Sequence, residues 1–171
     1  MSFNEISIKS LSINPFVMLE KEWGLLSAGT KDKYNTMTIA WGSVGVMWNK
    51  PVFTVVVRPQ RYTKEFMDNQ DMFTVSFYPE SCRKALELLG TKSGRDCDKI
   101  SESGLTPFFT NETVAFEEAH TIYVCRKLHG GQPLDPSFFI DAGLDNAMYP
   151  KKDYHYFYIG EIEKVLQKCK V

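Results

Sequence analysis

Along most of this chain, apolar and polar residues alternate in short runs broken by Gly, Pro and Asn/Asp positions, the pattern of a β-rich protein with few helices. Ile6 to Ile13 alternates and reads as a half-buried strand ended by Pro15. Val17–Glu20 and Leu25–Ala28 read as short strands around Gly24 and Gly29. Lys31-Asp32-Lys33 is polar and marks a turn. Thr36 to Val46 is a strand interrupted by Gly42 and Gly45, glycines of the kind found at bulges or close approaches. Asn49-Lys50-Pro51 is expected to turn, and the β-branched run Val52–Val57 between two prolines to form a central strand. Phe73–Tyr78, Val114–Lys127 and Tyr154–Val165 complete the strands, with a hairpin turn expected at Gly130-Gly131 and a break at Gly160.

Two segments have helical spacing. Tyr62–Asn69 places Tyr62 and Phe66 one turn apart, with Thr63 as candidate N-cap. Ser81 to Leu89 presents Ala85, Leu86 and Leu89 on one face, with Gly90 as its expected terminator. Thr91–Thr106 and Leu134–Pro150 read as loops, each holding a short helix. Many strands with a few short helices predict a mainly β protein, an antiparallel barrel, in one domain over residues 1–171. A small barrel has no interior room for a large ligand, so a bound molecule is expected outside it, with a second subunit as a natural wall.

Composition changes this picture little. Of 171 residues, 43% are hydrophobic and 24% charged, ordinary for a globular chain. Twenty basic and 21 acidic side chains nearly cancel, and no basic block favours nucleic acid. No apolar stretch approaches the roughly 20 residues needed to span a bilayer. The first residues lack a basic region followed by an apolar run, so a cytoplasmic location is expected. Cys82, Cys97, Cys125 and Cys169 form no CxxC pair and are expected to be free thiols. His120, His129 and His155 show no metal-ligand spacing, so no metal site is expected.

The candidate chemistry lies in two runs. Asn35-Thr36-Met37-Thr38-Ile39-Ala40-Trp41 puts small hydroxyls and an amide on a strand where apolar residues would be ordinary. Arg58-Pro59-Gln60-Arg61-Tyr62-Thr63 places two guanidiniums, a phenol and a hydroxyl at a predicted helix start. Arginine gives forked, charge-assisted bonds to phosphate, and a helix N-terminus adds amides. Trp41 can pack on a flat ring. Together the runs suit a flat, aromatic, phosphorylated ligand, and flavin mononucleotide (FMN) is one. The bland alternatives are an ordinary strand with Trp41 in the core, and a helix cap with arginines paired to surface carboxylates.

These runs, the Asn49-Lys50-Pro51 turn, Gly90-Thr91-Lys92-Ser93-Gly94-Arg95-Asp96 with Asp98-Lys99, and His155 with Gly160-Glu161-Ile162 resemble the flavin reductase-like, FMN-binding split-barrel family, most of all its flavoredoxin-type branch. The ordered set covers nearly the whole chain. The resemblance implies a six-stranded split barrel and a homodimer with non-covalent FMN near the interface. It further implies two-electron chemistry with NADH or NADPH as donor and a small molecule or protein as acceptor. Asn35, Thr36, Met37, Thr38 and Trp41 would hold the ring. Arg58, Arg61, Tyr62 and Thr63 would hold the phosphate end. Ser93 and Lys99 would come from a loop over the flavin, with Lys99 stabilising the reduced, anionic ring. His155 would lie near the reactive face, orienting nicotinamide or donating a proton.

One departure is the chain's end at Val171, soon after the last strand, where many relatives continue into a tail with an aromatic residue. The substrate side of the pocket is therefore expected to be open or lined by the partner. Two other readings stand beside this one. A flavin-binding electron-transfer protein without nicotinamide activity would show the same motifs; the lack of a GxGxxG fingerprint does not decide, because a donor can bind transiently over the flavin. A split-barrel oxidase acting on pyridoxamine phosphate would need a further basic cluster, which the sequence lacks.

Overall fold

A computed structural model describes residues 3–110 and 112–169. Ten strands form: β1 (Phe3–Ile6), β2 (Gly24–Gly29), β3 (Tyr34–Ile39), β4 (Gly42–Met47), β5 (Lys50–Val57), β6 (Met72–Phe77), β7 (Pro107–Phe109), β8 (Val114–Phe116), β9 (Thr121–Pro133) and β10 (Tyr156–Lys168). Five short helices lie between them: α1 (Pro15–Val17), α2 (Thr63–Asn69), α3 (Arg83–Thr91), α4 (Lys99–Ser103) and α5 (Ala142–Met148).

Eight strands make one antiparallel sheet in the order β3-β2-β6-β9-β10-β5-β4, with β1 beside the far end of β10. The count exceeds the expected six because β4 adds an outer strand and β1 fills the row that β5 leaves empty. β3 and β4 are thus opposite edges of the sheet, yet only Ala40 and Trp41 separate them in sequence. Three Cα steps reach at most about 11 Å. The two edges must therefore converge, which rolls the sheet into a barrel split at the Ala40–Trp41 corner.

The barrel interior holds Leu26, Phe53, Val55, Phe73, Val75, Phe77, Tyr123 and Tyr158, all at 0–1% exposure. A second core lies on the outer face of β2, β6 and β9, where Leu25, Ile122 and Val124 meet Leu86 and Leu89 of α3 and Phe116 of β8. The alternation Leu25 out, Leu26 in follows the strand period of two. Burying side chains of this size stabilises the fold by roughly 1.5–3 kcal/mol each.

Several segments differ from the sequence expectation. Ile6–Ile13 is strand only to Ile6; Ser7 then caps a 3-10 turn over Ile8–Ser10. Val17–Glu20 is helical: Asn14 caps α1, Pro15 stands at its first turn, and a π-turn, Met18–Glu22, follows. Pro15 starts this helix; it does not end a strand. The β4–β5 turn is Trp48-Asn49, both left-handed, while Lys50 and Pro51 already belong to β5. Gly130 and Gly131 lie inside β9, where Gly130 makes room for Tyr158 at a register shift against β10. Gly160 accompanies another such shift, and β10 runs through it. Gly90 does not end α3, which continues to Thr91. A Cβ there would stand 3.2 Å from the Thr38 Cβ, so this glycine permits the close approach of α3 to β3.

Candidate functional site

The barrel's split opens a cleft of about 200 Å³ lined by Met37, Thr38, Ile39, Ala40, Trp41, Val56, Arg58, Arg61 and His155. β3 supplies one wall, and as an edge strand it presents unpaired backbone donors and acceptors on the side away from β2. Trp41, 48% exposed at the corner, forms the rim, its ring 5.2 Å from that of His155. Met37 lines the cleft with its side chain in the barrel core. The Thr38 hydroxyl donates to the Leu86 carbonyl of α3 at 2.5 Å.

Two guanidiniums form the floor. Arg58 donates to the Met148 carbonyl at 2.9 Å, pairs with Asp153 at 2.7 Å and lies over the Tyr149 ring. Arg61 donates one bond, from Nη1 to the Gly90 carbonyl at 2.5 Å. A guanidinium has five donors, so most of Arg61's capacity is not taken up among the described residues. Burial and the neighbouring Arg58 charge lower its pKa. His155 is 8% exposed, and Tyr149 Oη lies 2.8 Å from its Nδ1. Burial, then the Arg58 charge, push its pKa down to about 4, so it is neutral at pH 7.

The structure keeps the other expected site residues out of this cleft. Asn35 is buried, and its amide donates to the Thr63 hydroxyl at 2.9 Å. Thr63 is therefore a tie between α2 and β3; the residue at the α2 N-cap position is Tyr62, with no side-chain cap bond. The amides of Arg61, Lys64 and Glu65 are bonded to the carbonyls of Arg58, Arg61 and Tyr62. Thr36 is fully buried, accepting from Ser27 at 2.8 Å and donating to the Leu26 carbonyl. The Ser93 hydroxyl accepts from the Arg95 amide.

Tyr62, Asn35 and Lys99 line a second cleft of about 380 Å³, with Tyr34 and the Gly94–Ile100 stretch. Lys99 is 3% exposed and donates to the carbonyls of Leu89 and Lys92. With Arg61 on Gly90, two cations thus hold the C-terminal carbonyls of α3, where the helix dipole favours them. Burial, then the Arg61 charge, lower the Lys99 pKa to about 8. Arg58, Arg61 and Lys99 form a series in which each neighbour depresses the next, and the ion pair of Arg58 with Asp153 is the one carboxylate contact the series makes among the described residues. An anion placed among them relieves that repulsion. Sequence reasoning missed Tyr149 and Asp153, whose signal was faint: one polar residue at the end of the loop Leu134–Pro150 and one just beyond it.

The family model described as flavin reductase like domain matches residues 21–168. The chain belongs to this family. Solved structures similar to this flavin reductase-like chain include flavoredoxin from Methanosarcina acetivorans, with TM-score 0.66 and 26% identity over 86% of this chain and 68% of that one. The FMN-binding domain of a flavin reductases-like enzyme from Shewanella baltica gives TM-score 0.69 and 16% identity over 97% and 77%. An FMN-binding protein from Thermus thermophilus with bound p-hydroxybenzaldehyde gives 0.66 and 20% over 85% and 71%. The last two likenesses establish the split-barrel fold, and the first agrees with the flavoredoxin-type motifs. No curated protein matches the chain. No helix among the described residues is long and apolar enough to cross a membrane.

Proposed function

We propose that this chain is an FMN-dependent oxidoreductase that binds FMN in the Met37–Trp41 cleft, takes electrons from NADH or NADPH and passes them to a small acceptor or a partner protein. The observation that carries the reading is the partly buried cation series Arg58–Arg61–Lys99 beside an unpaired strand edge.

The residues present fit FMN. Its phosphate is dianionic, and Arg61 keeps unused donors next to a second guanidinium. The pyrimidine edge of its ring alternates carbonyl acceptors with an N–H donor, and an edge strand answers with N–H and C=O groups. Trp41 supplies a flat apolar face. When bound, FMN would supply the redox chemistry. The protein's part is to bind, align and exclude water. Arg61 and Arg58 anchor the phosphate, the backbone of β3 orients the ring, and Trp41 covers it. His155, neutral at pH 7, hydrogen-bonds the ligand without adding charge. Asn35, Thr36, Thr63 and Lys99 act one step back, holding β3, α2 and α3 in place; Ser93 shapes its own loop through the Arg95 amide, and Lys99 adds charge from behind Arg61.

The reading extends to a single domain, a cytoplasmic location and a homodimer. β4 is an exposed edge carrying Val46 at 79% exposure, and Phe16 beside the corner is 80% exposed. A second subunit covering both would wall the cleft near Trp41. Purified protein is expected to bind FMN and to be bleached anaerobically by NADH or NADPH faster than free FMN. FMN binding without bleaching would leave an electron carrier, the reading favoured by the flavoredoxin likeness.

A further inference from the structure

The Tyr149–His155 pair has no assigned role, and its geometry determines which proton His155 carries. Tyr149 is 4% exposed, and its hydroxyl has one hydrogen-bond partner among the described residues, His155 Nδ1 at 2.8 Å. Two arrangements are open to such a pair. If Nδ1–H donated to the phenol oxygen, the buried tyrosine proton would have no acceptor. If the phenol donates to Nδ1, both groups are satisfied. Arg58 lies over the Tyr149 ring, 5.1 Å from its centroid, and draws electron density from the phenol, which favours its role as donor. With Nδ1 an acceptor, the neutral ring must carry its proton on Nε2. That nitrogen has no protein partner among the described residues, and His155 lines the cleft.

We infer that Tyr149 is a positioning residue that locks His155 in the Nε2–H tautomer, so that His155 meets the cleft's ligand as a neutral hydrogen-bond donor. This selects an acceptor atom in the ligand, a carbonyl oxygen or an unprotonated ring nitrogen. It also argues against His155 as the acid that delivers a proton at neutral pH, since giving up the Nε2 proton of a neutral imidazole would leave an imidazolate. The pair is tied to the cleft floor, because Arg58, which touches Tyr149, also donates to the carbonyl of the adjacent Met148. The assignment of the cleft's ligand as FMN rests on the function proposed above; the tautomer does not.

The test is two-bond 1H–15N correlation spectroscopy of ligand-free protein labelled with 15N-histidine, between pH 5.5 and 8. His155 is identified as the signal missing from His155→Gln. The expected result is a protonated Nε2 and an unprotonated Nδ1 across the whole range. Tyr149→Phe, which keeps the ring over Arg58, should give a mixture of tautomers and a titration displaced to higher pH. An Nδ1–H tautomer or an imidazolium in the wild-type protein at pH 7 would overturn the inference, as would a Tyr149→Phe spectrum identical to wild type. The wild-type spectrum decides even if Tyr149→Phe fails to fold. Because no flavin is present, failure of the protein to bind FMN in a separate titration would refute the proposed function and leave this result standing.

Discussion

Arg61 is the residue on which ligand binding turns most directly. Arg61→Ala should weaken FMN binding by about 1.5–3 kcal/mol, the worth of a charge-assisted bond. Fluorescence titration of FMN checks this, and an unchanged affinity would remove Arg61 from the site. Lys99 and His155 act on stability in the same direction, in different pH windows. Lys99 titrates near 8 in the fold against 10.5 when unfolded, so between those values the folded state holds fewer protons and stability rises with pH. Thermal unfolding of wild type should therefore gain on Lys99→Met as pH climbs from 8 to 10.5. His155, near 4 when folded against 6.5 unfolded, loses the fold stability as pH drops below 6.5. His155→Gln should flatten that acid slope. At this scale Arg58, Arg61 and Trp41 could be put on the cleft lining from sequence, because charge and aromaticity leave few alternatives on a strand-to-helix corner, and Met37 followed from its place in the same run as Trp41. Asn35 and Thr63 could not. A buried amide and hydroxyl that bond each other look in sequence like two groups free for a ligand.

At the scale of elements, the site depends on how β3 is held. Asn35–Thr63 ties it to α2, Thr38–Leu86 ties it to α3, and Gly90 permits the second contact. Asn35→Ala leaves the Thr63 hydroxyl buried without its donor and should cost about 1–3 kcal/mol, measured by urea unfolding. FMN affinity should fall only as far as β3 loosens. The central strands β5 and β6 were legible because β-branched and aromatic runs bounded by turn residues have few other solutions. Val17–Glu20 was not, since four residues carry no period and the Asn14 cap decides for helix. Gly130-Gly131 misled for a related reason. A glycine pair signals a turn by composition, but here one member admits the Tyr158 ring within a long bulged strand.

For the whole molecule, the decisive feature is that consecutive strands β3 and β4 close opposite edges of one sheet across a two-residue corner. That topology creates the split, and the split creates the cleft. No local pattern announces it, because strand order is a property of long-range pairing. The exposed β4 edge leads to the dimer prediction: Val46→Asp should shift sedimentation equilibrium toward monomer, and an unchanged mass would place the interface elsewhere. The most direct test of the central claim is equilibrium dialysis of the purified protein against FMN, read by visible absorption. The account predicts saturable uptake of one FMN per chain with a perturbed flavin spectrum, at a weaker affinity in Arg61→Ala. A protein that stays colourless and takes up no FMN would contradict it.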